Sequence, residues 1–323
     1  MTKAIRIHQH GGPEVMRWED VEVGDPGPGE ARVRHTAIGL NFIDVYDRTG
    51  LYPVQLPSGL GREAAGVVEA VGKKVRGLKV GDRVAYTFPF PGAYAEQRIC
   101  PAERLVRIPK GITDPQAAAV MLKGLTAWYL VRRTYPVKRG DTVLVHAAVG
   151  GVGILVSQWA RHLGARVIGV VGNEQKAALA KKNGCHHVLI GHDDLGTRVK
   201  ALTKGEGVHV VYDSVGKDTF FPSLDALRPL GMMVTFGNAS GPVPAVVPLE
   251  LSRRGSLFLT RPTLFHYTAT REALQKAARE LFRVIKRKAV RIHIGQSYPL
   301  RDVAAAHRDL EARRTTGSTV LIP

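Results

Sequence analysis

The chain has 323 residues, of which 44% are hydrophobic and 23% charged, a composition typical of an ordinary globular protein. Its length exceeds what one hydrophobic core normally supports, which predicts two domains. The formal net charge of +18 permits attraction to anionic ligands or nucleic acid but establishes neither, because the basic residues are spread over the sequence in short clusters.

Neither membrane insertion nor secretion is expected. No apolar run reaches about 18 residues, and the first six residues lack a signal-peptide pattern. The default expectation is therefore a cytoplasmic protein. Two cysteines, Cys100 and Cys185, are too few for a disulfide framework or a four-cysteine zinc lobe and are expected to be reduced thiols.

Residues 1 to about 122 predict a β-rich domain. Short strands over 3–7, 32–37 and 66–71 are separated by glycine- and proline-rich turns, for example over 25–29. This pattern favours a compact, barrel-like fold.

From about residue 136 apolar strands alternate with helices. The predicted strands are 142–147, 166–171, 187–190, 208–212, 232–236 and 256–260, and the first three helices lie near 151–163, 174–183 and 195–203. Such alternation predicts a doubly wound parallel sheet. Two further helices near 271–288 and 304–313 precede a strand over 318–322, and we expect this tail to return to the first domain because the six-stranded sheet is complete without it.

A glycine turn follows the first of these strands. Its pattern, Ala147-x-x-Gly150-x-x-Gly153, is a variant of the dinucleotide fingerprint, in which missing Cβ atoms let backbone N–H groups approach a pyrophosphate. The glycines alone could mark a plain strand-to-helix turn. The next apolar strand comes about twenty residues later, as a βαβ unit requires, and this favours nucleotide binding.

The residues after the second strand indicate which cofactor is bound. An NAD-selective site usually places Asp or Glu there to bind the ribose hydroxyls, whereas this chain has Gly172 and Asn173. With no carboxylate to repel a 2′-phosphate, and with Lys176 nearby, the sequence favours NADPH. Lys176 could also be ordinary helix-surface charge.

Several motifs together resemble one protein family. They are Asn41–Tyr46, Gly50–Pro53, Gly61–Gly66, Val80–Val84, Lys123–Ala127, Ala147–Gly153, Tyr212–Gly216, Phe236–Asn238 and Gly317–Ser318. In this order they resemble the zinc-free quinone oxidoreductases, the zeta-crystallin-like branch of the medium-chain dehydrogenases/reductases. The resemblance spans essentially the whole chain.

This resemblance implies an α/β fold with two domains. A GroES-like β-rich catalytic domain would cover 1–122, with 266–323 returning to it, and a Rossmann NADPH-binding domain with a doubly wound six-stranded parallel sheet would cover 123–265. It further implies an active-site cleft between the domains and a homodimer.

The resemblance also implies the site residues. Asn41 and Tyr46 would lie beside the nicotinamide and Tyr52 in the substrate cleft, which makes these three the candidate catalytic residues. The remaining cofactor-binding candidates are Thr126, Gly150, Gly151, Val152, Gly172, Asn173, Lys176, Ser214, Phe236, Gly237, Asn238, Ser240 and Arg313. At Gly191 the chain departs from the family, which usually has a tyrosine there near the adenosine phosphate, and the adjacent His192 is the candidate to replace that contact.

No metal is expected. Arg62 stands between Gly61 and Glu63, where the related alcohol dehydrogenases have a zinc-binding histidine, and a guanidinium cannot ligate a metal. Asn41 lies close to the place of an expected cysteine ligand. A quinone needs no Lewis acid, because it is electrophilic by itself and becomes aromatic on reduction.

The predicted function is zinc-independent hydride transfer from NADPH to a quinone. Tyr46 and Tyr52 are candidates for orienting the quinone or donating a hydrogen bond to it, although packing alone explains either tyrosine equally well and water could deliver the proton. One alternative is reduction of the double bond of an enone or alkenal by the same geometry. An alternative of another class is an RNA-binding or structural zeta-crystallin-like role, although the chain lacks the basic and aromatic pattern of a dedicated RNA module.

Overall fold

A computed structural model describes all residues from Met1 to Pro323. The chain forms two compact units. The first contains Met1–Leu125, Thr268–Lys286 and Ile292–Pro323, and the second contains Thr126–Tyr267 and Arg287–Arg291. The domain limits expected from the sequence, 1–122 with 266–323 and 123–265, stay predictions.

The first unit is built mainly from β-strands. Its amino-terminal strands are β1 (Thr2–Ile7), β2 (Arg17–Val21), β3 (Glu30–Leu40), β4 (Ser58–Gly59), β5 (Glu63–Val71), β6 (Arg83–Thr87), β7 (Gln97–Pro101) and β8 (Val106–Arg107). Three helices accompany them: α1 (Phe42–Thr49), α2 (Asp114–Ala118) and α3 (Met121–Tyr129), the last of which continues into the second unit. Strand β3 buries Ala31, Val33 and His35 at alternate positions, as expected for a strand with one face on a core.

The second unit is a parallel sheet with connecting helices. Its strands are β9 (Thr142–Val145), β10 (Arg166–Val171), β11 (His187–Ile190), β12 (Val208–Asp213), β13 (Leu227–Thr235) and β14 (Phe258–Thr260). Its helices are α4 (Gly151–His162), α5 (Glu174–Lys182), α6 (Leu195–Leu202), α7 (Phe220–Asp225), α8 (Leu249–Arg253) and α9 (Leu264–Tyr267). The strand order is β11-β10-β9-β12-β13-β14, and every pair is parallel. This confirms the predicted doubly wound six-stranded sheet.

The carboxyl-terminal segment packs into the first unit. It consists of α10 (Arg271–Lys286), β15 (Ile294–Pro299), α11 (Val303–Glu311) and β16 (Ser318–Ile322). Strand β16 pairs antiparallel with β3 and parallel with β15, which extends the larger sheet of this unit to the order β15-β16-β3-β5-β6-β8. Leu300, Val303 and Leu321 join its hydrophobic core.

The topology determines where a nucleotide could bind in the second unit. From β9 the chain proceeds in one direction through β10 and β11, and then returns to the other side of β9 with β12. At such a switch point the loops at the carboxyl ends of the strands diverge and leave a crevice.

None of the helices combines the length and apolar character that a membrane span requires.

Candidate active site

The turn between β9 and α4 leads into a helix whose first residues, Gly151 and Val152, are half-buried. Gly150 is the N-cap of α4 and lacks a side chain, so the first N–H groups of the helix have no side-chain cap. These donors and the positive end of the helix dipole suit a phosphate group. Gly150, Gly151 and Val152 thus lie where the sequence predicts pyrophosphate contacts.

Gly153 brings α4 close to this turn. A Cβ atom built on Gly153 would lie 2.1 Å from the Ala147 carbonyl oxygen, which no side chain could tolerate. Ala147 itself has a φ of 47°, in the left-handed region, so the strand predicted to extend to 147 ends at Val145 and the chain turns sharply. The glycine pattern therefore serves close packing as well as phosphate access.

The end of β10 is open to a ligand. A Cβ atom on Gly172 would meet no atom within 4 Å. The next residue, Asn173, caps α5 by accepting a hydrogen bond from the Lys176 backbone N–H at 3.1 Å. Asn173 consequently has a structural role in addition to any contact with a cofactor. Gly191, at the end of β11, also faces open space and has a φ of 67°.

The loops after β12 and β13 pack tightly together. A Cβ atom on Gly237 would lie 2.2 Å from the Ser214 carbonyl oxygen. The Phe236 N–H donates to the Asp213 carbonyl oxygen at 2.8 Å, and the Asp213 carboxylate accepts the Gly216 N–H at 3.2 Å. The bond from Phe236 to Asp213 and the close approach of Gly237 to Ser214 hold the two loops against each other.

Ser240 ties these two loops together through its hydroxyl group. The Ser240 hydroxyl donates to the Val215 carbonyl oxygen at 3.0 Å and accepts the Asp218 N–H at 3.1 Å. Predicted as a cofactor contact, Ser240 is also a structural bridge between the loops that carry Ser214 and Asn238.

In the first unit, α1 and the loop after it hold the three candidate catalytic residues. Asn41 is the N-cap of α1, and Tyr46 lies in the same helix. The rings of Tyr46 and Tyr52 meet edge to face with centroids 5.1 Å apart, and the Tyr52 N–H donates to the Tyr46 carbonyl oxygen. The structure thus brings the two tyrosines together, with Tyr46 buried and Tyr52 half-buried.

The side chain of Asn41 contacts a buried ion pair between Glu63 and Lys123. Its side-chain nitrogen Nδ2 donates to Glu63 Oε1 at 2.8 Å, and the Lys123 ammonium donates to the same oxygen at 2.8 Å. All three residues are almost fully buried. Glu63 and Lys123 belong to two of the family motifs, but the sequence alone predicts no role for either.

A second buried network supports the start of α1. The Asp44 carboxylate accepts the Asn41 N–H at 2.9 Å and the Tyr94 hydroxyl at 2.8 Å. His307 contacts the Tyr94 oxygen through Nε2 and Arg48 through Nδ1, which fixes the hydrogen on Nε2 because Arg48 can only donate. Burial raises the pKa of Asp44 to about 7, with the Asp47 charge adding to the effect, and burial lowers the pKa of His307 to about 3.

Arg62 stands where a zinc ligand would stand in related alcohol dehydrogenases, and it is fully engaged. Its Nε and Nη2 donate to the two carboxylate oxygens of Asp47 at 2.7 Å each, and its Nη1 donates to the Pro89 carbonyl oxygen. No group of three or more His, Cys, Asp or Glu side chains in the chain could hold a metal ion. A guanidinium cannot ligate zinc, so the residues present do not fit a catalytic zinc.

The predicted site residues form two sets. In the second unit, the residues around Gly150, Gly172, Ser214 and Gly237 all follow the carboxyl ends of β9, β10, β12 and β13. In the first unit, Asn41, Tyr46 and Tyr52 share α1 and its adjoining loop. Thr126 is buried in α3, and Arg313 is exposed in the turn before β16 with a φ of 58°.

This combination defines a two-domain dehydrogenase of the medium-chain class. The fold has a β-rich unit of the GroES type and a Rossmann sheet with an open glycine turn. A family model described as an alcohol dehydrogenase GroES-like domain matches residues 27–110, and one described as a zinc-binding dehydrogenase matches residues 151–284.

Full-length relatives identify the family within this class. A quinone oxidoreductase of Pseudomonas aeruginosa is 54% identical over 100% of both chains, and a 2-haloacrylate reductase of a Burkholderia species is 47% identical over 100% of this chain and 99% of the other. The crystal structure of an Escherichia coli quinone oxidoreductase complexed with NADPH superposes with a TM-score of 0.97 at 48% identity, covering 99% of this chain and 100% of that one. The chain belongs to the quinone oxidoreductase family of the medium-chain dehydrogenases/reductases.

Proposed function

We propose that this protein is an NADPH-dependent quinone reductase. The observation that carries the proposal is the placement of the predicted nucleotide-binding loops at the carboxyl ends of the strands around the switch in strand order. Similarity to quinone oxidoreductases over the whole chain supports the choice of acceptor.

In this proposal the second unit holds the cofactor. The N–H groups of Gly151 and Val152 bind the pyrophosphate, with Gly150, whose own N–H donates to the Ala147 carbonyl oxygen, lining it. The open backbone at Gly172 with Asn173 and Lys176 receives the adenosine ribose phosphate. Ser214, Phe236, Gly237, Asn238 and Ser240 form the wall beyond β12 and β13. Thr126 of this unit and Arg313, which belongs to the first unit, complete the set. When bound, NADPH supplies a hydride.

The first unit positions the acceptor. The edge-to-face pair of Tyr46 and Tyr52 offers two aromatic surfaces against which a flat ring packs, and a phenol hydroxyl there donates to the oxygen that gains negative charge. Because a quinone is electrophilic without a metal, positioning and this hydrogen bond supply much of the catalysis.

The test is a steady-state comparison of acceptors with the purified protein and NADPH. We expect 1,4-benzoquinone and a naphthoquinone to be reduced with much larger kcat/KM than a short 2-alkenal. Turnover of the alkenal that is faster by orders of magnitude would reverse this assignment, and no oxidation of NADPH with any acceptor would refute it.

A second candidate function is reduction of an activated carbon–carbon double bond. It is favoured by the relative of 47% identity that is named a 2-haloacrylate reductase, because an acrylate is an activated alkene. The same hydride-transfer geometry serves both acceptors, so a 2-haloacrylate belongs in the acceptor comparison.

Lys176 provides a test of cofactor choice. Lys176 is half-buried in the first turn of α5, four residues after the open backbone of Gly172. We expect Lys176→Ala to weaken NADPH binding by about tenfold, because one charge-assisted contact to phosphate is lost, and to leave NADH binding nearly unchanged. Fluorescence titration with both nucleotides measures this, and equal losses for the two would remove Lys176 from the phosphate site.

We further propose that the protein works as a homodimer in the cytoplasm. Strand β14 forms one edge of the parallel sheet and exposes the large apolar side chains of Phe258 and Leu259. An edge strand with exposed apolar residues on both faces is a template for pairing with a second copy of the chain.

A further inference from the structure

Glu63 is a carboxylate buried without any exposed surface at the start of β5. Three donors surround it. Asn41 Nδ2 and Lys123 Nζ each lie 2.8 Å from Oε1, and the Leu122 backbone N–H lies 2.5 Å from Oε2. The carboxylate therefore has hydrogen bonds on both oxygens, which a buried charge requires.

These donors come from two different parts of the first unit. Leu122 is in the first turn of α3, and Lys123 follows it. The N–H groups of a first helical turn have no partner within the helix. A carboxylate at this place is favoured by the helix dipole and by the ammonium group together. Glu63 is thus anchored rigidly on the α3 side and has a free lone pair for Asn41.

The anchoring restricts what the Asn41 amide can do. One N–H of its side chain goes to Glu63, and the Gly39 carbonyl oxygen lies 3.3 Å from the same nitrogen as acceptor for the other. With both N–H groups committed, the amide can offer a ligand only its oxygen. A carboxylate at position 63 cannot donate, so the opposite orientation of the amide would set two acceptors against each other.

We propose that Glu63 is a positioning residue that holds Asn41 as a hydrogen-bond acceptor for the cofactor. This inference rests on the proposed function, in which Asn41 lies beside the nicotinamide. The ligand group that an amide oxygen recognises is an N–H donor, and the carboxamide of a nicotinamide is such a donor. Lys123 neutralises Glu63, so that the orienting charge is stable in the interior.

A double-mutant cycle tests whether Glu63 acts through Asn41. We expect Glu63→Gln to lower NADPH affinity and kcat/KM for the quinone by at least about tenfold, because the amide is no longer held in one orientation. In a protein that already carries Asn41→Ala, the same change should cost less than about twofold, because nothing is left to position. Fluorescence titration of NADPH with the intact protein gives the affinity independently of turnover.

Two further variants control for structural damage. Glu69→Gln removes a carboxylate from the same strand, where Glu69 pairs with Arg34 at the surface, and should change both quantities less than about twofold. If Glu63→Gln fails to fold because Lys123 is left buried without a counter-charge, the pair Glu63→Gln and Lys123→Met replaces it in the cycle, since that protein buries no charge at this place.

The outcomes separate this inference from the proposed function. If Glu63→Gln lowers NADPH affinity and kcat/KM equally in the wild type and in the Asn41→Ala protein, Glu63 is only structural and the inference is overturned. The wild-type activity would still support a quinone reductase. A wild type that binds NADPH but reduces no quinone would refute the proposed acceptor, and the binding cycle would still decide the role of Glu63. A wild type that binds no NADPH would overturn both.

Discussion

At the scale of single residues, Asp44 is a carboxyl group in an interior that opposes its charge. One oxygen accepts hydrogen bonds from Asn41 and Tyr94, while the other is buried without a partner. Burial raises its pKa from about 3.8 to about 7. The folded protein therefore holds a proton on Asp44 at pH values where the unfolded chain has lost it.

This difference predicts a pH dependence of stability. Between about pH 4 and 7 the folded state binds more protons at Asp44 than the unfolded state, so this contribution to stability is lost as the pH rises. Asp44→Asn keeps a neutral group of the same shape and removes the loss. The free energy of unfolding of the variant, relative to the wild type, should rise by up to about 1.4 kcal/mol per pH unit in this range.

Urea unfolding of both proteins at several pH values measures this difference. The buried imidazoles of His35 and His307, whose pKa values burial lowers to about 4 and about 3, act in the opposite direction, because the unfolded chain takes up protons first as the pH falls. Both proteins contain them, so their effect cancels in the comparison. A difference that does not change with pH would contradict the assigned state of Asp44.

Arg62 shows how a single residue changes the chemistry open to this class of fold. Its guanidinium forms a bidentate, buried pair with Asp47 where a zinc ligand would otherwise stand. Removing one partner of such a pair is costly because the other charge stays buried. Arg62 is therefore part of the support beneath α1, and the acceptor must react without a Lewis acid at this position.

At the scale of elements, the glycines of the nucleotide-binding loops have separable roles. Gly153 lets α4 approach the turn, since a Cβ there would lie 2.1 Å from the Ala147 oxygen, whereas a Cβ on Gly172 would meet nothing within 4 Å. The first glycine is required for packing. The second is required only if a ligand approaches the backbone.

We therefore expect two alanine substitutions to differ in their effect on stability. Gly153→Ala should lower the free energy of unfolding by about 1 to 3 kcal/mol, because the helix or the turn must shift, and should weaken NADPH binding. Gly172→Ala should change stability by less than about 0.5 kcal/mol but still weaken NADPH binding. Thermal unfolding and fluorescence titration separate the two effects, and unchanged affinity in Gly172→Ala would remove this residue from the cofactor site.

The elements of the second unit from β9 to α6 were predictable because their signals are local. Apolar runs, glycine spacing and helical periodicity identify β9, α4 and β10 to within one or two residues. Strand β13 begins at Leu227 and not at 232 as predicted. The prediction missed this start because Arg228, Pro229 and Leu230, which has a left-handed backbone, interrupt the apolar run, and a bulge shifts the register of β13 against β12.

The supports of the candidate site were not predictable from the sequence. Asn41 meets Glu63 across 22 positions, and Tyr94 meets His307 across 213 positions. Nothing periodic in the sequence links such residues, since their contacts depend on the pairing of β3, β5 and β16. Motifs locate the groups that touch a ligand, whereas only the fold shows what holds them.

At the scale of the whole molecule, the two units contribute different parts of the proposed chemistry. The second unit provides backbone donors and a basic side chain for an anionic cofactor, and the first provides aromatic rings with a buried polar support. The formal charge of +18 favours the approach of a nucleotide with several negative charges through long-range attraction.

The proposed dimer is a prediction about the edge of the parallel sheet. Phe258 and Leu259 of β14 are 56% and 37% exposed, and adjacent residues along an edge strand point to opposite faces of the sheet. Replacing both with lysine should prevent pairing between two copies, because charged edge strands repel each other and remain solvated. We expect the double variant to be a monomer in size-exclusion chromatography with light scattering, while the wild type has twice that mass.

A matched control separates loss of pairing from the general effect of added charge. Val80 is 59% exposed in a loop of the first unit, and Val80→Lys also replaces a surface apolar side chain with lysine. This variant should keep the mass of the wild type. A double variant of β14 that retains the wild-type mass would place the contact elsewhere, because two lysines on a three-residue edge strand leave no apolar edge for a second copy.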